Sequence, residues 1–149
     1  MSSLPPTADQ TIDHVTLDQV AMVLRENLQT LNVVPPAVHF SLDALFCTVT
    51  VEEHRLRCEA LLSRSFHATE LASVVELLNT WNSTTTWVTL YFTVEQQNIV
   101  RMYAQAVFET GCGLSHNQLG YMVTSQLEAM LQADEFLASS SVPAFEQES

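Results

Sequence analysis

The sequence predicts an α+β fold, one antiparallel sheet of about five strands with helices packed mainly on one face. Two observations carry this. Apolar residues recur every three or four positions in three separated stretches, and between those stretches the apolar period changes to two, with polar turns placed as in hairpins. The resulting order is α-β-β-β-α-β-β-α, and a run of strands between helices favours an antiparallel sheet covered on one side.

The first helix begins where Thr16 and Gln19 have the spacing of a capping box, the hydroxyl and the amide each satisfying a free backbone N–H. Leu17, Val20, Ala21, Leu24, Leu28 and Leu31 then form one apolar stripe, and Pro35 with Pro36 is expected to end the segment. A short strand is expected near residues 39–42. In the next strand Leu45, Cys47, Val49 and Val51 alternate with Ala44, Phe46, Thr48 and Thr50. After a turn at Glu52-Glu53, Leu56, Cys58, Ala60 and Leu62 alternate with Arg55, Arg57 and Glu59, as the returning strand of a hairpin does.

Helical spacing returns with Leu71, Val74, Val75, Leu78 and Trp81. The β-branched and aromatic run from Trp87 to Val94, a polar turn at 95–98 and a strand over 99–108 predict a second hairpin. Gly111-Cys112-Gly113 breaks the chain, and Ser115 with Gln118 opens the last helix, expected to reach about Ala138. Residues 15–138 are therefore read as one domain between flexible termini, 1–14 and 139–149, which are rich in proline, serine and acids.

Composition narrows the function. Seventeen acids against five arginines and no lysine give a formal charge of −12. Such a charge repels phosphate backbones and anionic headgroups, so neither a nucleic-acid nor a membrane partner is expected. Without lysine there is no P-loop amine and no Schiff base. The N-terminal ten residues lack the basic and apolar regions of a signal peptide, and no apolar run of about 18 residues follows. Three widely spaced cysteines, Cys47, Cys58 and Cys112, suit free thiols in a reducing compartment. The expected location is the cytoplasm, with no cofactor and no metal.

Leu78-Asn79-Thr80-Trp81-Asn82, the two strands after it, and Gly113-Leu114-Ser115 opening a long helix with Leu119 resemble the YbjN family of bacterial proteins, whose fold is similar to that of type III secretion chaperones. The resemblance implies a regulator or chaperone-like protein without an established enzymatic activity. Because the chaperones commonly act as dimers, it also implies a homodimer. It supplies no catalytic residues. Within it the Asn79–Asn82 segment would be a structural signature, the amides satisfying the helix end and the Trp81 ring filling the gap before the next strand.

Cys112 is the best candidate for chemistry, since it sits between glycines before a helix N-terminus, where the dipole favours a thiolate, with His116 nearby. No carboxylate or amide is recognisably placed to orient that histidine. Cys47 and Cys58 fall on one inward face, where cysteine behaves as a small hydrophobe. The histidines are scattered, unlike zinc-ligand spacing.

A binding surface has better support. With Val88, Leu90, Phe92 and Val94 turned inward, Trp87 and Tyr91 face outward. The partner strand then sends Arg101 and Tyr103 outward, and the first hairpin adds Arg55 and Arg57. Tryptophan, tyrosine and arginine dominate protein hot spots, although cross-strand pairing alone also places such residues on sheets. The sequence thus predicts a non-catalytic module that binds another protein or peptide through this face. A cysteine-dependent redox or hydrolytic enzyme using Cys112, and a structural subunit of a larger assembly, are the alternatives.

Overall fold

The computed structural model describes residues 14–84, 87–111 and 113–145. Helix α1 (Leu17–Arg25) is followed by β1 (Asn32–Val34), β2 (Ala37–Leu42), β3 (Leu45–Glu52) and β4 (Arg55–His67). Helix α2 (Leu71–Thr84), entered through one 3₁₀ turn, leads to β5 (Thr89–Glu95), β6 (Ile99–Glu109) and α3 (His116–Ala138). The strands form one six-stranded sheet in the order β1-β2-β3-β4-β6-β5, every neighbouring pair antiparallel.

Both capping boxes form. Thr16 and Gln19 exchange bonds at the start of α1, and Ser115 and Gln118 do so at the start of α3. Helix α1 stops at Arg25, well before Pro35. Asn27, Thr30 and Asn32 are weak helix formers, and the chain there leaves the helix layer for the sheet edge. Leu28 and Leu31 still pack on the core, so the stripe marks burial correctly but helix length wrongly. Pro35 and Pro36 instead make the two-residue turn between β1 and β2, where fixed φ and a missing N–H are no handicap. That turn creates the sixth strand.

All three helices contribute to the same core as the inward strand residues, which places them on one face of the sheet. Val20, Val74, Leu119, Met130 and Leu137 meet Leu45, Val49, Leu56, Cys58, Met102 and Ala104 there, each at most 1% exposed. Trp81 of α2 packs on Phe136 of α3 with ring centroids 5.3 Å apart, joining the helices into a layer.

Strand β4 extends five residues beyond the alternation that ends at Leu62, through a register shift between Leu61 and Ser65. At that irregularity Ser63 donates its backbone N–H and its hydroxyl to the Asp134 carboxylate of α3, at 2.9 and 2.8 Å. Arg64 donates to the carbonyls of Ala138 and Val142, Ala144 bridges Phe66, and Phe145 N–H meets the Ser65 carbonyl at 2.8 Å. The expected flexible C-terminus is thus held as far as Phe145, with Val142 only 8% exposed. Residues 1–13 and 146–149 lie outside the described residues.

Candidate functional site

The face of the sheet opposite the helices takes its character from register. Phe46 of β3 pairs with Leu61 of β4, Leu61 with Tyr103 of β6, and Tyr103 with Tyr91 of β5. Side chains of directly opposed residues point the same way, so these four make a continuous apolar row across four strands. None of them belongs to the core cluster, and Phe46 is 66% exposed. Tyr91 and Tyr103 stack, with centroids 5.1 Å apart and planes 12° from parallel. Burial, and next the Glu59 carboxylate across β6, push the Tyr91 phenol above its usual range and keep it protonated.

Arg55 and Arg57 lie beside the row on β4, and Arg101 lies two residues from Tyr103 on β6. Each is engaged within the face. Glu52 receives Arg57 at 3.3 Å and Arg55 at 3.5 Å, and Glu95 receives Arg101 at 3.2 Å. Glu59 pairs across to Gln105, and Glu109 to Arg55. The arginines therefore offset local carboxylates, leaving the face near neutral on a chain of formal charge −12.

Five of the six residues expected at the surface, Arg55, Arg57, Tyr91, Arg101 and Tyr103, come together here. Trp87 does not. It precedes β5 and lines a hollow with Tyr121 and Met122 of α3, on the helix side. The alternation of β5 starts only at Thr89, so extending it back to Trp87 gives the wrong side. Phe46 and Leu61 were missed, although the same alternation that placed Thr48 and Arg57 places them.

The Asn79–Asn82 segment differs from expectation in what it satisfies. Asn82 does not close the helix end; its carboxamide bonds the backbone of Leu90 in β5, and the Trp81 indole N–H donates to the Val88 carbonyl at 2.9 Å. Strand β5 is the sheet edge, so α2 blocks part of a row of backbone groups otherwise open to pairing.

Burial pushes the thiols of Cys47 and Cys58 up to about 12, which makes them inert core residues. His116 meets the Glu26 carboxylate at the end of α1, a partner 90 positions away that no local pattern reveals. Cys112 lies outside the described residues.

A family model described as "Putative bacterial sensory transduction regulator", YbjN, matches residues 41–139, from the end of β2 to the end of α3. The chain belongs to the YbjN family. Its fold is similar to that of the solved YbjN from E. coli, called there "a putative transcription regulator", with a TM-score of 0.70 at 13% identity over 86% of this chain and 96% of that one. It is also similar to a chain in the HopA1-SchA chaperone-effector complex, with a TM-score of 0.52 at 15% identity over 79% of this chain and 91% of that one. No curated protein matches the chain significantly. Helix α1, strand β1 and most of β2 precede the matched range, which takes in β3 to α3.

Proposed function

We propose that this YbjN-family chain is a non-catalytic, chaperone-like adaptor or regulator that binds a polypeptide on the open face of its sheet. The observation that carries the reading is the uncovered row Phe46–Leu61–Tyr103–Tyr91, bordered by arginines whose charge is already offset. Apolar and aromatic residues there provide contact area at little entropic cost, because the strands and the Tyr91–Tyr103 stack hold them in place. Because the charges bordering the patch are already paired, a neutral or apolar segment can dock there without desolvating an unpaired charge.

That a chain of similar fold forms part of the HopA1-SchA chaperone-effector complex supports a protein partner by analogy of fold. No helix among the described residues is long and apolar enough to cross a membrane. Buried, unpaired Cys47 and Cys58 agree with work in a reducing cytoplasm. A second copy of the chain is the other occupant that this face fits, and it would give a homodimer.

Affinity capture from the source cell, comparing wild type with Phe46→Ser/Tyr103→Ser by mass spectrometry, tests the reading. A protein retained by the wild type and lost from the variant is expected. Equal recovery by both, with the variant folded, would refute it. Sedimentation of the purified wild type separates the partners: a dimer that the double variant dissociates identifies a second copy.

A further inference from the structure

Strand β4 outlasts one of its neighbours. Strand β3 pairs with it only from Arg55 to Leu61, while β6 pairs with it as far as His67. The side of Ser65–His67 that faces away from β6 is therefore a sheet edge, a short row of backbone groups that another strand can pair. The chain's own end fills it. Ala144 bridges Phe66 in antiparallel register, and the Phe145 N–H donates to the Ser65 carbonyl at 2.8 Å. Val142 is almost fully buried, Arg64 donates to its carbonyl at 3.3 Å, and the Phe145 ring meets that of His67 with centroids 4.5 Å apart.

A peptide seated in the edge shows that the edge accepts one, yet this occupant is an incomplete strand. The bridge between Phe66 and Ala144 places Pro143 opposite His67. A residue there would give its N–H to the His67 carbonyl, and proline has none to give. Arg64 holds the segment only through the carbonyls of Ala138 and Val142, and its Nε stays buried without a partner among the described residues. The edge lies inside the range shared with the family, whereas its cover follows residue 139, where that range ends. A terminal segment held by so few bonds opens far more readily than the core.

We propose that the outer edge of β4 at Ser65–His67 is a strand-addition site for an extended segment of a partner polypeptide, and that residues 142–145 are an internal occupant which the partner displaces. The segment that fits has an apolar residue at the place of Val142, a small one at that of Ala144, an aromatic one at that of Phe145, and an N–H where this chain has Pro143. Main-chain bonds hold it and the side chains select it. The proposal rests on the reading that the chain binds polypeptides, and adds a contact outside the Phe46–Leu61–Tyr103–Tyr91 row.

The test uses the full chain labelled with nitrogen-15 and an unlabelled, amidated peptide with the sequence of residues 139–145 carrying Pro143→Val. The peptide should move the backbone amides of residues 142, 144 and 145 to the positions of an unfolded chain and shift those of Ser65–His67. Val142→Ser and Phe145→Ser each loosen the cover without altering β4, and should raise the affinity for the peptide about tenfold by removing its competitor. The same peptide with proline retained should bind about fivefold more weakly, the worth of one backbone hydrogen bond. Phe46→Ser/Tyr103→Ser should leave peptide binding unchanged. Failure of the open-face reading therefore leaves this result standing, and partner capture by the row without peptide binding refutes this site alone.

No displacement at millimolar peptide, an affinity that rises in neither loosened variant, or equal binding of the two peptides would each overturn the proposal. Loosened variants that dimerise in sedimentation instead of binding the peptide would give the edge to the tail of a second copy, and would overturn it as well.

Discussion

The carboxamide of Asn82 closes a two-bond ring on the backbone of Leu90: its Oδ1 accepts the Leu90 N–H at 2.9 Å, and its Nδ2 donates to the Leu90 carbonyl at 3.0 Å. A helix side chain thus imitates a neighbouring strand. It satisfies both outward groups of one residue on the edge strand β5 and fixes α2 against the sheet.

Replacing Asn82 with alanine should lower stability by about 1–3 kcal/mol, because the Leu90 backbone groups lose both partners while half-shielded by α2. The urea midpoint would report it. Light scattering should also rise with concentration in the variant, since the freed edge can pair with another copy. An unchanged midpoint would mean that water replaces the amide without loss.

The link between Ser63 and Asp134 should matter more than its partly exposed setting suggests. Two donors of one serine, its backbone N–H and a hydroxyl within reach of both carboxylate oxygens, tie the β4 irregularity to α3. Asp134→Ala should cost about 1–2 kcal/mol. Amides of residues 142–145, which lean on the same end of β4, should exchange with deuterium faster than in wild type.

Alkaline pH should destabilise the fold. Cys47 and Cys58 titrate at about 12 in the folded chain against an ordinary value near 9, and Tyr91 is also raised. Above about pH 9 the unfolded chain releases protons that the folded chain keeps, so stability is intact below that pH and falls as pH rises. The slope approaches about 1.4 kcal/mol per pH unit for each ionising thiol. Urea midpoints at pH 8 and 10.5 should differ clearly in wild type and less in Cys47→Ala/Cys58→Ala. Equal slopes would assign the effect elsewhere.

The open face should tolerate change better than the core. Tyr103→Ala removes half of a stacked pair worth about 0.5–1.5 kcal/mol beyond its burial, and should lower the melting temperature by only a few degrees. Phe66→Ala, in contrast, empties a fully buried site and should cost about 3–5 kcal/mol. Thermal melts of both variants decide whether the tyrosine ring belongs chiefly to the surface or to the fold.

What was legible in the sequence followed from local rules. Thr16–Gln19 and Ser115–Gln118 act within one turn, and the period-two runs of β3, β4 and β6 are buried on one face only, so residue types reveal orientation. The Pro35-Pro36 turn was misread because two prolines end a helix and make a hairpin turn equally well. Trp87 was misplaced by assuming that alternation begins at the first aromatic residue. The pairing of Glu26 with His116 and of Ser63 with Asp134 joins residues 90 and 71 positions apart, and only the assembled fold brings them together. The apolar row needed the register of four strands, including the placement of β6 between β4 and β5, which residue types on single strands do not encode.

The central claim, that the open sheet face receives a polypeptide, is tested most directly by photo-crosslinking in the source cell. A benzophenone amino acid at Leu61, in the middle of the row, should yield one discrete adduct on illumination, while the same group at Val75, exposed on α2, should yield none. Adducts from neither position, or the same adduct from both, would contradict the account.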